Sequence, residues 1–386
     1  MQDPIVTIKR LSIMIKELII LSSIDWDFLW QRHQTIASFL LKNGWKVIYV
    51  DGTGIRNPRF EEFPRIIFKK YLGLGKYKNP IPKSLVRLKF PFLPPTYRIF
   101  RELNRKIFIP KLIQKIKETE IRRPVIIAYL PTQTTIDIIN KLDYSLLIYD
   151  CVVNFKGMKG VPSDIEETEN ELVQKSDLII ADSNFLYKKM LKLSKNKVFQ
   201  ILPGVDYELF SRAGREPIKA VKNICFFGAI DERIDLDLIF SAAKIAKSCN
   251  FIFIGPVKTQ LPPFPSNVIF HPPVRREKLT EKLSICDCLL LTYKKNELTK
   301  GIIPAKFFEA LATGKPIIVS GIEDNIANFK DVLYTVSSTE EFIKILELIP
   351  ELETEEKYIK RKNIAREHSW DKRIEQFIKI IEKNLT

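Results

Sequence analysis

The stretch Gly301-Ile302-Ile303-Pro304-Ala305-Lys306-Phe307-Phe308-Glu309-Ala310-Leu311-Ala312-Thr313-Gly314-Lys315-Pro316, followed by Ile317-Ile318-Val319, reads as a loop, a short helix, a glycine turn and a buried strand. Pro304 suits the first helical position and Gly314 the position just past the helix end. Such a helix starts with free backbone N–H groups at residues 302 to 305, and its macrodipole places partial positive charge there, which makes an anion site. Lys306 and Glu309 are three residues apart and share one face, so a diphosphate at the helix start would meet Lys306 while Glu309 accepts hydrogen bonds from paired sugar hydroxyls. A nucleotide diphosphate carries both kinds of group.

Four further stretches follow the same logic. Phe226-Phe227-Gly228-Ala229-Ile230-Asp231-Glu232-Arg233 and Phe251-Ile252-Phe253-Ile254-Gly255-Pro256 each read as a strand running into a glycine loop. Ser176-Asp177-Leu178-Ile179-Ile180-Ala181-Asp182-Ser183 is a strand ending in Ser, and Leu202-Pro203-Gly204-Val205-Asp206 is a crossing segment. In this order, and together with residues 301 to 316, they resemble the group 1 glycosyltransferases of GT-B architecture, over most of residues 18 to 386. The resemblance implies two Rossmann-like domains facing each other across a cleft. It also implies donor contacts from Glu309, Lys306, Arg233, Gly228, Ile302, Ile303 and Ser183, with Lys306 and Arg233 on the diphosphate. The family often carries a second Glu eight positions before the ribose-binding one, where this chain has Gly301, and a second acid near the acceptor, where it has Asn154.

Apolar strands alternating with helical patterns predict an α/β protein of two doubly wound domains. Strands are expected at Leu18 to Leu21, Lys46 to Val50, Pro124 to Tyr129, Ser145 to Tyr149, Asp177 to Ala181 and Lys197 to Ile201, with a helix from Phe28 to Lys42. Residues 54 to 110 carry so many prolines that short helices and loops are expected there rather than sheet. The amphipathic segment Trp370 to Leu385 matches the helix that crosses back to the first domain in the family. The expected division is residues 1–208 plus 368–386 for an acceptor-binding domain and 209–367 for a nucleotide-sugar domain.

The 386 residues, 45% hydrophobic, suffice for two cores. There is no apolar run of about 18 residues and no leader-like N-terminus, so a cytoplasmic protein is expected. Cys151, Cys225, Cys249, Cys286 and Cys288 form no Cys-x-x-Cys pair and read as buried free thiols. Nearly all of the formal charge of +16 falls in residues 56–123, where Lys and Arg interleave with aromatic and aliphatic residues. That mixture suits a peripheral site on an anionic bilayer at the inner face of the cell membrane. A solvated basic face is the plainer alternative, and no nucleic-acid module is recognisable.

Strand-end residues facing the cleft are the candidates for chemistry. Asp150 is the candidate general base toward an acceptor hydroxyl, with a turn-capping role an equal alternative. Asp25, Arg32 and His33 are candidates for acceptor contact, although His33 also suits a packed site. Asp235-Leu236-Asp237 reads as N-terminal helix charge rather than a metal motif, and Gly52-Thr53-Gly54 as a plain turn. The expected reaction moves a sugar from a nucleotide-diphosphate donor, most simply a UDP-sugar, to a lipid-linked or glycan acceptor, with no metal or cofactor. A nucleotide-sugar 2-epimerase and a non-catalytic glycan- or membrane-binding scaffold are the alternatives.

Overall fold

The computed structural model describes residues 16–28, 30–52, 54–55, 79–214, 219–322 and 326–385. Residues 56–78 of the basic region, and Thr53 of the Gly-Thr-Gly turn, lie outside them. The first sheet contains β1 (Glu17–Leu21), β2 (Lys46–Val50), β3 (Leu85–Leu88), β4 (Val125–Ala128), β5 (Leu146–Cys151), β6 (Leu178–Ala181) and β7 (Lys197–Gln200) in the order β3-β2-β1-β4-β5-β6-β7. The second contains β8 (Asn223–Phe227), β9 (Asn250–Ile254), β10 (Val268–His271), β11 (Cys288–Thr292), β12 (Ile317–Ser320) and β13 (Tyr334–Thr335) in the order β10-β9-β8-β11-β12-β13. The pairings are parallel throughout both sheets. Two doubly wound units of this order make the GT-B fold.

Burial explains why these strands are readable. β4, β5 and β6 are buried at every residue, so neither face can carry the polar alternation of a half-wet strand. Ile19, Ile48, Ile126 and Leu147 enter the core on one face, while Leu18, Ile20, Ile127 and Ile148 enter the core on the other. Phe377, Ile380 and Ile381 of the last helix, Trp370–Asn384, join that second core. The chain therefore returns to the first domain as expected. The crossings are tied together: Val205 N–H donates to His368 O (2.9 Å) and Trp370 N–H to Val205 O (3.0 Å). Gly204 is required there because a Cβ would lie 2.5 Å from the Trp370 ring.

Three expectations need correction. β3 lies among the prolines where no sheet was expected; as an edge strand it pairs only with β2, so neighbouring prolines cost no ladder bonds on its outer side. The first helix starts at Arg32 rather than near Phe28, its end capped reciprocally by Gln31 and Gln34. Cys225 and Cys286 are joined in a disulfide, because β8 and β11 are neighbours and Cys286 precedes β11. Cys151, Cys249 and Cys288 are free and buried, as expected.

Candidate functional site

In a sheet of this order ligands bind beyond the carboxyl ends of the strands where the winding reverses, here between β8 and β11 and between β1 and β4. The loop after β8 begins at Gly228, whose φ of +104° disfavours any side chain. It is wedged against a second glycine loop, since a Cβ on Gly255 would lie 2.0 Å from Gly228 O. Lys306 reaches this point from the helix Lys306–Thr313: its ammonium donates to Phe227 O (3.0 Å) and lies 3.5 Å from the centre of the Phe226 ring. Burial pushes the Lys306 amine well below its usual range, and Arg233 pushes the same way.

Glu309 lies on the same face of that helix, its side chain 20% exposed, with Oε1 3.4 Å from Arg276 Nη2. Burial raises its carboxyl, Asp206 adds to the rise, and Arg276 and Lys306 oppose it. Arg233 is gripped by Asp231 at 2.9 and 2.6 Å. The second domain thus collects Lys306, Arg233 and Arg276 against Asp231 and Glu309 around the end of β8. Such a set can take a ligand that carries both phosphate charge and hydroxyl donors.

The start of that helix differs from expectation. Thr299–Gly301 form a separate tight turn in which Ile302 N–H donates to Thr299 O (3.1 Å), and the helix begins at Lys306, two residues beyond Pro304. Among the described residues, the Ile303 and Ala305 amides have no protein acceptor. Gly314 closes the helix at φ +74°, as its position implied. Ser183 is fully buried and its hydroxyl caps the helix Asn184–Leu193 by accepting from Leu186 N–H (3.2 Å). Asp235 caps the helix Leu236–Ile245, which places the Asp-x-Asp pair where helix charge was expected.

On the first domain, strand alternation brings Tyr129, Asp150 and Asp182 from the ends of β4, β5 and β6 to one face, where the first helix supplies Arg32 and His33. Asp150 is fully buried and accepts from Arg32 Nε (2.7 Å), while Arg32 Nη1 donates to Ile201 O (3.2 Å). Burial raises the Asp182 carboxyl well above the usual range and Asp150 adds to it, with Arg32 opposing. His33 packs at a tilt of 39° against Tyr129, ring centres 3.7 Å apart, and its Nε2 is 2.9 Å from Ser23 Oγ. Burial, reinforced by Arg32, lowers its imidazole to about 3. Arg32 Nη2, His33 Nδ1 and Asp182 Oδ1 are buried without a hydrogen-bond partner. Asp25 stays half-buried in the loop after β1, apart from this ion pair. Sequence reading missed Arg276, Tyr129 and Asp182; Asp182 ends its strand just as Asp150 does, which was the available signal.

Residues 235–379 match a family model described as glycosyl transferase-like. A putative teichuronic acid biosynthesis glycosyltransferase, TuaH of Bacillus subtilis (strain 168), is 27% identical over 262 residues, 60% of this chain and 66% of that relative, just under two thirds of its length. Among solved structures, sucrose-phosphate synthase from Thermosynechococcus elongatus superimposes with a TM-score of 0.69 at 13% identity, covering 95% of this chain and 98% of the other. Anabaena HepE in complex with UDP and glucose gives 0.61 at 11% identity, covering 95% and 99%. The two parallel sheets and the returning C-terminal helix give the chain the GT-B fold of these solved structures, and residues 235–379 carry its similarity to the glycosyl transferase-like family.

Proposed function

We propose that this protein transfers a sugar from a nucleotide-diphosphate donor, most simply a UDP-sugar, to a lipid-linked or glycan acceptor. The observation that carries the reading is the pairing of Lys306 and Glu309 on one helix beside Gly228. Glu309 is the acceptor for the ribose hydroxyls, and Lys306 and Arg233 stabilise the leaving diphosphate, so the step needs no metal or cofactor. Ile303 and Ala305 offer the free amides ahead of the helix, while Ile302 serves the turn. The names of two similar proteins agree with this, since TuaH is described in teichuronic acid biosynthesis and HepE was solved with UDP and glucose.

Asp150 remains our candidate base, held as a carboxylate partner by Arg32 and reached only if the cleft opens around it. Arg32 and His33 beside Asp150, and Asp25 in the separate loop after β1, are proposed to shape the acceptor site. Membrane docking rests on the helical segment from Arg98 to Lys117. Ile109, Leu112, Ile113 and Ile116 face the core, whereas Tyr97, Ile99, Leu103 and Ile107 stand exposed, up to 66% for Ile99. Arg98, Lys106 and Lys111 flank these exposed side chains, the composition that settles on an anionic bilayer at its cytoplasmic face. Among the described residues no helix is long and apolar enough to cross a membrane.

A thermal-shift screen with UDP, GDP, ADP and their sugar conjugates tests the donor site. One nucleotide should raise the midpoint, and Glu309→Ala should abolish the gain. No shift with any nucleotide would sink the reading. Co-sedimentation with anionic but not neutral vesicles, lost in Ile99→Ser with Leu103→Ser, tests the membrane part.

A further inference from the structure

Asn154 and Gly301, where the resemblance to group 1 glycosyltransferases implies acids, approach each other closely across the cleft. A Cβ on Gly301 would lie 3.1 Å from Asn154 Cβ and 3.5 Å from the side chains of Phe185 and Leu186. Asn154 Nδ2 donates to Glu297 O (3.1 Å), in the loop that leads to Lys306. On its other side Asn154 Oδ1 is 3.4 Å from Lys189 Nζ, which is itself fixed by Glu169 (2.6 Å). Further along, Gly157 lies backbone against backbone on the same loop: a Cβ there would be 2.6 Å from Leu298 N and 2.8 Å from Leu298 Cα. Neither Gly157 nor Gly301 has a positive φ, so it is close approach that demands glycine at 157 and leaves little room for a side chain at 301.

We propose that Asn154, Gly157 and Gly301 form a clasp that positions the loop of residues 296 to 301, and so the helix carrying Lys306 and Glu309, against the end of β5 that carries Asp150. The clasp joins the two half-sites through short stretches of chain on either side, so its seating sets their separation. A side chain at 301 would start tightly against Asn154 with Phe185 and Leu186 beside it, so a glutamate there would press on this domain contact.

The inference rests on the glycosyl-transfer reading only for its turnover arm. Gly157→Ala adds one methyl group at the contact, Gly301→Glu a larger wedge, and Asn154→Ala removes the bond to Glu297 without adding atoms. Each variant is compared with the wild type by small-angle scattering, by the nucleotide-induced thermal shift and by steady-state kinetics. The wedge variants should have a larger radius of gyration, an unchanged nucleotide shift and a kcat lowered by up to roughly 100-fold at nearly constant donor KM, since a misplacement of about 1 Å can cost that much. Asn154→Ala should show the same pattern more weakly. Wild-type scattering together with wild-type kcat in Gly157→Ala would overturn the clasp. Loss of the nucleotide shift in the wedge variants would overturn it too, by placing the defect in the second domain alone. If the wild type itself binds no nucleotide, the transfer reading fails, and scattering alone decides the clasp.

Discussion

Arg276 Nη2 lies 3.4 Å from Glu309 Oε1, although the two residues come from different helices on opposite sides of β11 in the chain. Glu309 can accept two ribose hydroxyls only as a carboxylate, and burial works against that form. Lys306 opposes the burial, but its own cation is disfavoured. Arg276 is therefore the steadier counter-charge.

Arg276→Ala should raise the Glu309 carboxyl further. The anionic form is lost as pH falls through that value, so nucleotide affinity should begin to drop at a higher pH in the variant than in the wild type. Calorimetric titration across about pH 5 to 8 would show the acid limb displaced upward. An acid limb in the same place would mean that Arg276 does not set the charge of Glu309.

Lys306 gives the opposite sign. Its amine is lowered in the free protein by burial first and Arg233 second, and a bound diphosphate would favour the ammonium. Binding should then take up a proton in the window between the two values, and affinity should fall as pH rises through it. Titrations in two buffers of different ionisation enthalpy should give different apparent heats at alkaline pH. Lys306→Met should erase the difference and weaken binding.

Much of this was legible because burial on both faces leaves near-continuous apolar runs, so β4, β5, β6 and β12 announce themselves. Glu309, Lys306 and Gly314 were legible because helix spacing and the left-handed cap are local properties. What escaped depends on tertiary neighbours. Arg276 meets Glu309 only after β10 and β12 are in place, and Cys225 pairs with a cysteine 61 residues away. The capping role of Ser183 was not read because a serine at a strand end caps a helix as readily as it faces a ligand. β3 escaped because an edge strand tolerates the prolines and charges that argue against a central one.

The Arg32–Asp150 pair separates a structural cost from a catalytic one. Arg32→Met leaves the carboxylate buried without its counter-ion, and breaking such a pair commonly costs about 3 to 5 kcal/mol. Asp150→Asn keeps the shape and one acceptor for Arg32, so it should destabilise less while removing the candidate base. Urea unfolding should rank Arg32→Met as the less stable protein. Transfer assays on the folded fraction should rank Asp150→Asn as the slower enzyme. Equal turnover in Asp150→Asn and wild type would remove Asp150 from the chemistry and leave it a packing role.

Phe377 tests whether the returning helix is part of the first domain or a loose appendage. Its ring is 1% exposed and belongs to the core formed by Leu18, Ile20, Ile127 and Ile148, far from its own neighbours in sequence. Phe377→Ala should therefore cost about 3 to 5 kcal/mol, the usual range for emptying a buried aromatic site. The loss should fall on the unfolding step of the first domain, because the second-domain core contains none of the affected contacts. Nucleotide binding should persist under conditions where the first domain has begun to open. Hydrogen exchange can follow both at once: faster exchange in β1, β4 and β5 with β8 and β11 unchanged is the expected pattern. A uniform increase across both sheets would show that the two domains unfold as one unit through the crossings at Val205 and Trp370.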